Sequence, residues 1–508
     1  MSQRESAPQS PAPDIAMQDD SGGSGPLAAT IGLWLGPSLA ALMLWLGAPE
    51  GLSAPGWQTL ALLAWMVVWW VTEPVPIAAT SLLPIVCLPL GGIASAADAT
   101  GAYADPIIFL FIGGFIIAVA IEHWQLHERI ALSMIAAVGT RPVALVGSFA
   151  LASCLLSMWI SNTATALMLM PTAIGVAHAV APLAAGPDAC ARATRANATL
   201  TAALVLMVAY GASIGGIGTP VGSPTNLVAM SYLQKEGLSL GFAQWMVIAA
   251  PLMVAMLLAT WAVLAWPLRR HGANPEVARL LAERRRALGP ITRPERRVLG
   301  VFVLVAAAWM FNPLLKKIEG LQGLNDTAIA IVGALLLFAL PSGDASALRR
   351  RLLDWKTAER IPWGVALLFG GGLSVAAAME AHGVSAWLGN AMSGMDSLHP
   401  LVVLLLLAAL TVFASEFMSN VATLAAFLPV IGAISLATGL PPLVLVFNAS
   451  MAASLAFMMP AGTAPNAIAY ATGAVRIRQM LRVGLWLNLI SILSITVVSE
   501  WLAPLVLA

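Results

Sequence analysis

The residues best suited to chemistry are small hydroxyl and amide side chains placed inside apolar sequence. They occur in two runs, Ser157 to Thr165 (SMWISNTAT) and Ser415 to Thr423 (SEFMSNVAT). Hydroxyl and amide oxygens can coordinate a dehydrated cation, and the hydrogens of the same groups can hold an anion. No Lys or Arg lies near either run in the sequence. An anionic substrate would therefore be held by neutral groups, with bound cations offsetting its charge.

The two runs are matching parts of an internal repeat. The second follows the first by 258 positions, and the same offset relates three other features of the sequence, namely Gly113-Gly114 with Gly371-Gly372, Glu122 with Glu380, and Pro171 with Pro429. Two polar tips in matching places of two hydrophobic halves are typical of a secondary transporter whose site lies between its repeats.

The composition is that of a polytopic membrane protein. Of 508 residues 59% are hydrophobic and only 10% charged, and the mean hydropathy is +0.86. A net charge of +1 gives no reason to expect a nucleic-acid partner. An enzyme within the membrane would need a nucleophile with a base, or a metal cluster, and the apolar runs contain neither His-Glu-x-x-His nor an Asp pair. We therefore expect the lipid bilayer as partner and no enzymatic activity.

The local sequence indicates how the two runs are positioned. Each lies in the middle of an apolar segment long enough for two short helices, which predicts re-entrant hairpins at 142–179 and 400–436. Each hairpin is followed by a helix, 198–232 and 441–475, that is interrupted by glycines and prolines. Non-helical backbone at membrane depth is tolerated only where it is buried in protein or lines a cavity. We therefore expect the two helix breaks to lie inside the protein, beside the polar turns of the two hairpins.

The remaining apolar runs complete an all-α polytopic membrane fold. We predict two inverted five-span repeats with re-entrant hairpins and broken helices, plus one extra N-terminal span, which makes eleven spans and two hairpins. The predicted organisation is a disordered tail at 1–27, the extra span at 28–56, repeat 1 at 57–267, a basic cytoplasmic linker at 268–297, and repeat 2 at 298–508. Within repeat 1, a polar loop is expected at about 183–196.

The basic residues predict the orientation. With the N-terminus in the cytoplasm, all but three of the 25 Lys and Arg residues fall on the cytoplasmic side, the exceptions being Lys235, Lys316 and Lys317. The positive-inside rule therefore supports a multi-pass protein of the inner (plasma) membrane with an external C-terminus.

These motifs resemble the divalent anion/sodium symporter family, from about residue 30 to the end of the chain. The resemblance rests on motifs that occur in the family's order: Thr-Glu-x-x-Pro at 72–76, Gly-Gly-Phe to Leu-His-x-Arg-Ile-Ala-Leu at 113–132, Ser161-Asn162-Thr163, Gly222-Ser223-Pro224-Thr225-Asn226, Ser419-Asn420 and Gly462-Thr463-Ala464-Pro465-Asn466. It implies a homodimer in which a transport domain of hairpins and broken helices moves by an elevator mechanism against a fixed scaffold.

The resemblance also implies the site residues. The coupling ions would be sodium, one held by Ser157, Ser161, Asn162 and Gly222, and a second by Ser415, Met418, Asn420 and Gly462. A small divalent anion would be contacted by Ser161, Asn162, Thr163, Asn420, Val421, Thr463 and Pro465.

Three alternatives remain at this stage. The expected activity is sodium-coupled symport of a C4-dicarboxylate such as succinate, with a sodium-independent dicarboxylate exchanger or a carrier of sulfate or another divalent anion as alternatives. Val421 stands where many relatives carry Thr, which leaves the identity of the substrate open. Glu416 is the acidic residue nearest the second tip, and it could take part in coupling or serve only as a structural partner.

Overall fold

The computed structural model describes residues 26–179, 187–269, 275–343, 350–391 and 398–501. Within these ranges the regular structure is helical, apart from one isolated antiparallel bridge between Pro341 and Arg351. The prediction of an all-α fold is confirmed there. All but the last two residues of the predicted disordered tail, 1–27, lie outside the described residues.

The first half of the chain contains the two arms of the first predicted hairpin and the first interrupted helix. Its helices are α1 Pro26–Leu46, α2 Ala54–Thr72, α3 Ile77–Thr80, α4 Leu83–Leu90, α5 Ala96–Gly101, α6 Pro106–His123, α7 Leu126–Val138, α8 Pro142–Ser157, α9 Asn162–Ala179, α10 Pro187–Gly216, α11 Pro224–Lys235 and α12 Phe242–Ala265. Short 3-10 helices occur at Ala102–Ala104, Pro220–Gly222 and Trp266–Leu268.

The second half repeats this order after a helical linker. Its helices are α13 Pro275–Ala287, α14 Arg293–Met310, α15 Asn312–Leu315, α16 Asp326–Ala339, α17 Trp355–Ala358, α18 Trp363–Ala381, α19 Val384–Ala391, α20 Pro400–Ser415, α21 Asn420–Thr438, α22 Pro442–Ser454, α23 Ala464–Ala471 and α24 Ile477–Trp501.

Seven helical segments among the described residues are long and apolar enough to cross a membrane. They are Leu27–Leu46, Ala96–His123, Asn197–Gly216, Phe242–Leu268, Trp363–Ala381, Asn420–Thr438 and Ile477–Trp501. Shorter apolar helices, among them both first hairpin arms and α22, lie between them. The chain is thus a multi-pass membrane protein. The count of eleven spans and the inverted arrangement stay predictions.

Two expectations about loops need correction. The polar loop expected at about 183–196 is helical from Pro187, where α10 begins, because a proline in the first turn and an alanine-rich sequence both favour a helix. In the basic linker, 268–297, α13 forms and α14 already starts at Arg293. The α14 start has a capping box in which Thr292 and Glu295 satisfy each other's backbone N–H groups.

Candidate ion and substrate site

The two hairpins are built alike. Helices α8 and α20 are each 16 residues long, begin with a proline and end at a serine, Ser157 or Ser415. A four-residue turn follows, and the second arm then starts at Asn162 in α9 and at Asn420 in α21. Prolines suit the first turn of a helix because the N–H they lack would be unpaired there. The offset of 258 residues thus relates two equivalent structures.

The broken helices are interrupted where the sequence predicts. Helix α10 ends at Gly216 and α11 begins at Pro224, and in the second half α22 ends at Ser454 and α23 begins at Ala464. The break in the first half carries the 3-10 turn Pro220–Gly222. Each interruption leaves carbonyl oxygens that accept no hydrogen bond within a helix. These oxygens lie beside the turn of the hairpin in the same half.

In the first half these oxygens form a cluster that we call the first cradle. A side chain at Gly222 would begin 2.7 Å from the Gly216 carbonyl oxygen and 3.1 Å from those of Ser157 and Met158. The Asn162 Oδ1 atom accepts a hydrogen bond from the Ser157 hydroxyl at 2.5 Å, and it lies 2.6 Å from where a side chain at Gly216 would begin. The first cradle therefore comprises carbonyl, amide and hydroxyl oxygens around Gly222.

The second half contains a comparable cluster, the second cradle, around Gly462. The Asn420 amide nitrogen can donate to the carbonyl oxygens of Ala453 at 3.0 Å and Gly462 at 3.2 Å. A side chain at Gly462 would begin 3.1 Å from Glu416 Oε2 and 3.4 Å from the Ser415 carbonyl oxygen. The Ser415 hydroxyl donates to the Val412 carbonyl at 2.9 Å. Ser415 therefore faces the second cradle through its carbonyl oxygen.

Two asparagines hold the breaks open, and the sequence interpretation assigned them no role in the site. Asn226 Nδ2 donates to the carbonyls of Gly216 and Thr219, both at 2.8 Å. Asn466 Nδ2 donates to those of Ala456 at 3.2 Å and Met459 at 3.1 Å. Both asparagines are fully buried. The signal that could have identified them is the Asn four residues after the glycine in both GSPTN and GTAPN.

Each hairpin turn is also joined to its break, but by different chemistry in the two halves. In the first half the Thr219 hydroxyl donates to the Met158 carbonyl and accepts from the Gly222 N–H at 3.0 Å. In the second half Glu416 is 1% exposed, and its carboxylate accepts from the N–H groups of Phe457, Met458 and Met459 at 2.7–2.8 Å. Asn488 Nδ2 donates to the same carboxylate at 2.7 Å. Glu416 therefore ties the turn to the break.

The two halves pack across each other at the site. Helix α23 of the second half packs against α9 and α10, and α11 of the first half packs against α21 and α22. The Tyr210 hydroxyl donates to the Phe457 carbonyl at 2.8 Å, inside the second break. The Ser450 hydroxyl reaches the Thr225 carbonyl at 3.5 Å. Each hairpin's second arm thus lies beside the interrupted helix of the other half.

The remaining predicted site residues lie at the same helix ends. Ser161 accepts the Ala164 N–H at 3.1 Å, and Thr163 follows in the first turn of α9. Thr463 caps α23 by accepting the Asn466 N–H at 3.3 Å, with Pro465 in the first turn. Val421 is 7% exposed in the first turn of α21, and Met418 lies in the second hairpin turn. Their roles as ligands stay predictions.

Helix breaks lined by carbonyl oxygens within a multi-pass helical protein are typical of one class of protein, the membrane transporters. Two solved transporters share the fold: YdaH of Alcanivorax borkumensis has a TM-score of 0.56 and 15% identity over 94% of this chain and 98% of that chain. For MtrF of Neisseria gonorrhoeae, described among antimetabolite efflux pumps, the TM-score is 0.55 and the identity 15%, over 91% of this chain and 97% of that one. At this identity the likeness concerns the fold alone.

The chain belongs to the sodium:sulfate symporter family, whose transmembrane-region model matches residues 32–508. The resemblance to the divalent anion/sodium symporters is thereby confirmed. Among curated proteins it is similar to the sodium-dependent dicarboxylate transporter SdcS of Staphylococcus aureus strain USA300. The two are 37% identical over 487 residues, which cover 94% of this chain and 92% of SdcS.

Proposed function

We propose that the protein is a sodium-coupled symporter of a C4-dicarboxylate such as succinate. The observation that carries this proposal is the pair of cradles, each made of oxygen atoms at a helix break beside a hairpin turn. Unwound backbone carbonyls of this kind coordinate sodium ions in secondary transporters. The name of the S. aureus relative supplies the substrate class.

The donor atoms of the first cradle fit a sodium ion. Carbonyl, amide and hydroxyl oxygens are hard, neutral ligands, and Gly222 keeps the space beside them free of a side chain. We assign Ser157, Asn162 and Gly222 to this ion as predicted, and add the carbonyls of Met158 and Gly216. In the second cradle the ion would meet the carbonyls of Ser415, Ala453 and Gly462 and the Asn420 amide.

The Asn420 amide suggests how sodium and substrate are coupled. One of the two terminal atoms of this amide, nitrogen or oxygen, lies 3.0 Å from the Ala453 carbonyl oxygen and 3.2 Å from the Gly462 carbonyl oxygen. Without a cation only the nitrogen can face them favourably, because an oxygen there would meet two other oxygens. A bound cation favours the opposite orientation, in which the amide oxygen is a ligand and the nitrogen is free to donate to a carboxylate. Sodium would thus prepare the site for the dianion.

The dianion would be held by neutral groups at helix N-termini. Helices α9 and α21 begin at Asn162 and Asn420, and the positive dipole ends at their N-termini favour negative charge. Thr163, Thr463 and Pro465 lie in the first turns or caps of such helices. A molecule with a carboxylate at each end could contact one tip with each.

The larger features belong to the same proposal. We propose two inverted five-span repeats after one extra span, with the N-terminus in the cytoplasm and the C-terminus outside. The hairpins and broken helices would move as one body by an elevator mechanism in a homodimer. The packing of α23 on α9 and of α11 on α21 supports a single moving body, because these contacts join the tips of both halves.

Counterflow of labelled succinate in proteoliposomes tests the proposal, with sodium on both sides, one side or neither. We expect counterflow only with sodium. Asn162→Ala and Asn420→Ala should each abolish it while folding and insertion persist, because each amide serves a cation and the substrate. Asn325→Ala is the matched control, since Asn325 is an exposed cap of α16.

Each alternative predicts a distinct result. Counterflow that persists without sodium would indicate a dicarboxylate exchanger. Sulfate uptake without a succinate response would indicate a sulfate carrier. Transport like that of the wild type by either the Asn162 or the Asn420 variant would contradict the assignment of the tips.

A further inference from the structure

The end of α16 and residues 350–352 lie together at the end of the helix predicted to face the cytoplasm. After Ala339 the chain turns at Pro341 and pairs with Arg351 through an antiparallel bridge. The Ser342 N–H donates to the Arg350 carbonyl at 2.8 Å, and the Leu352 N–H to the Leu340 carbonyl at 3.0 Å. We call this surface, together with Arg297 at the start of α14, the α16 foot.

Two arginines of the α16 foot bind adjacent backbone carbonyls. Arg297 Nη1 donates to the Pro341 carbonyl and Arg351 Nη1 to the Ala339 carbonyl, both at 2.6 Å. These carbonyls lie at the negative end of the α16 dipole, which explains why cations gather there. Both arginines are exposed, and no described carboxylate lies within 4.0 Å of either. Each of these bonds uses one of the five N–H donors that a guanidinium carries.

Apolar helix faces lead directly to these arginines. On α16, Val332 is 52% and Leu335 59% exposed, and Ala339 continues the same face. On α14, which packs against α16, Leu304 is 58% exposed two turns beyond Arg297. Trp355 is 61% exposed beside Phe338, with ring centroids 6.1 Å apart. Exposed tryptophans of this kind mark a membrane interface.

The charge around the α16 foot is mostly positive. Among the described residues, two exposed carboxylates, Asp354 and Glu359, lie nearby in the chain, and hydrogen bonds from Thr357 hold the pKa of Asp354 below its usual value. They are outnumbered by exposed basic residues on the same elements, namely Arg293, Arg296, Arg297, Arg350, Arg351, Lys356 and Arg360. An anionic partner is therefore favoured there.

We propose that the α16 foot binds the phosphate of an anionic phospholipid between Arg297 and Arg351. The acyl chains would lie along the exposed faces of α14 and α16, with Trp355 at the level of the headgroup. Basic pockets between helices at the cytoplasmic face are known to bind anionic headgroups. A lipid fits better than a soluble anion because exposed apolar residues lie on α14, which carries Arg297, and on α16, whose last carbonyl Arg351 binds. This site is separate from the transport site and adds to the proposed function.

Native mass spectrometry of the purified protein titrated with phosphatidylglycerol or phosphatidylcholine tests the proposal. We expect preferential retention of phosphatidylglycerol by the wild type. Each basic residue near a membrane surface is worth about 1 kcal/mol, or roughly fivefold. Combining Arg297→Gln with Arg351→Gln should therefore weaken phosphatidylglycerol binding roughly 10- to 30-fold. The matched control combines Arg279→Gln with Arg285→Gln, two exposed arginines of α13, and should change it less than about twofold.

A second measurement needs no arginine variant. Phosphatidylglycerol with brominated acyl chains should quench Trp355 more than brominated phosphatidylcholine does, with Trp355→Phe giving the background. Equal quenching by the two lipids, or an equal loss of binding in the α13 control, would overturn the proposal. Saturation of the site by inorganic phosphate alone would also overturn the proposal. A double variant that binds lipid normally but loses self-association would overturn it too, and would indicate that a second copy of the chain lies on this surface.

Discussion

At the scale of single residues, backbone oxygens matter as much as side chains. The carbonyl oxygens of Met158 and Gly216 lie together beside Gly222. Methionine and glycine are not residue types from which an ion ligand would be predicted. Ser157 and Asn162 were identifiable because a hydroxyl and an amide are unusual within an apolar run. Their mutual hydrogen bond of 2.5 Å puts both at the first cradle.

Gly222→Ala tests the first cradle directly. The added methyl group would lie 2.7–3.1 Å from three carbonyl oxygens and occupy the space that we assign to sodium. We expect stabilisation by sodium over potassium in a thermal shift assay to require at least roughly tenfold more sodium, because binding stabilises a protein by mass action. Gly300→Ala is the control, since nothing lies within 4 Å of its added methyl group. An unchanged sodium dependence of Gly222→Ala would refute the assignment.

Val421→Thr tests which anion the pocket accepts. Val421 is 7% exposed beside Asn420, and threonine has a similar volume with a hydroxyl added. A hydrogen bond to a charged group is worth about 1.5–3 kcal/mol. Allowing for the displaced water, we expect succinate affinity to improve roughly threefold to thirtyfold. Competition titrations with succinate and sulfate measure this, and sulfate binding without a succinate response in either protein would exclude a dicarboxylate site.

At the scale of elements, the two broken helices use one device to stay open. Asn226 and Asn466 each donate to carbonyls seven and ten residues earlier, at the end of the preceding helix or within the interruption itself. The residue that joins the break to the hairpin turn differs between the halves. It is Thr219 in the first half and Glu416 in the second. All contacts described for the Glu416 carboxylate are to the break and Asn488, which favours a structural role over direct coupling.

Removing either asparagine amide should destabilise its break. In each break one of the two carbonyls, that of Thr219 or Met459, keeps a backbone N–H donor. The other loses its described donor, and a buried polar group left unpaired costs about 1–3 kcal/mol, so with the second lost hydrogen bond the total should be about 2–4 kcal/mol. We expect Asn226→Ala and Asn466→Ala to lower the thermal unfolding midpoint in detergent and to impair transport.

Asn448→Leu is the matched control for these two variants. Asn448 is equally buried on α22, but neither atom of its amide has a hydrogen-bond partner among the described residues. Replacing it by leucine should be neutral or stabilising, because no bond is lost. An Asn226 or Asn466 variant as stable as this control would contradict the role given to the amides.

At the scale of the whole molecule, the proposed function requires two halves with opposite orientation. Each half has one hairpin and one broken helix, and the halves join through α23 on α9 and α11 on α21. If one hairpin enters from each side of the membrane, both tips can reach a common site from opposite faces. The distribution of Lys and Arg predicts which face is which.

Accessibility of engineered tags tests this orientation. We expect a tag after Ala508 to be reached only from outside the cell, and one within 268–297 only from the cytoplasm. Antibody labelling before and after permeabilisation distinguishes the two sides. A tag inserted at Lys316, in a segment predicted to be external, serves as the control. Both test tags on one face would contradict the inverted arrangement.

The sequence by itself determined the helical membrane class, the repeat, the hairpins and the helix breaks. These follow from local physics: apolar runs need lipid, glycine and proline interrupt helices, and a repeat of 258 residues places Pro142 and Pro400 at equivalent helix starts. The capping box at Thr292 and Glu295 was equally local, and with it the start of α14 could have been predicted.

Only the tertiary structure decided which oxygens meet. The meeting of the Gly216 and Met158 carbonyls and the contact of Tyr210 with Phe457 depend on segments far apart in the chain. Every residue carries a carbonyl oxygen, so residue type does not show which ones become ligands. In the sequence, Arg297 and Arg351 are ordinary basic residues of two segments predicted to be loops. Only the structure shows that both donate to carbonyls at the end of α16.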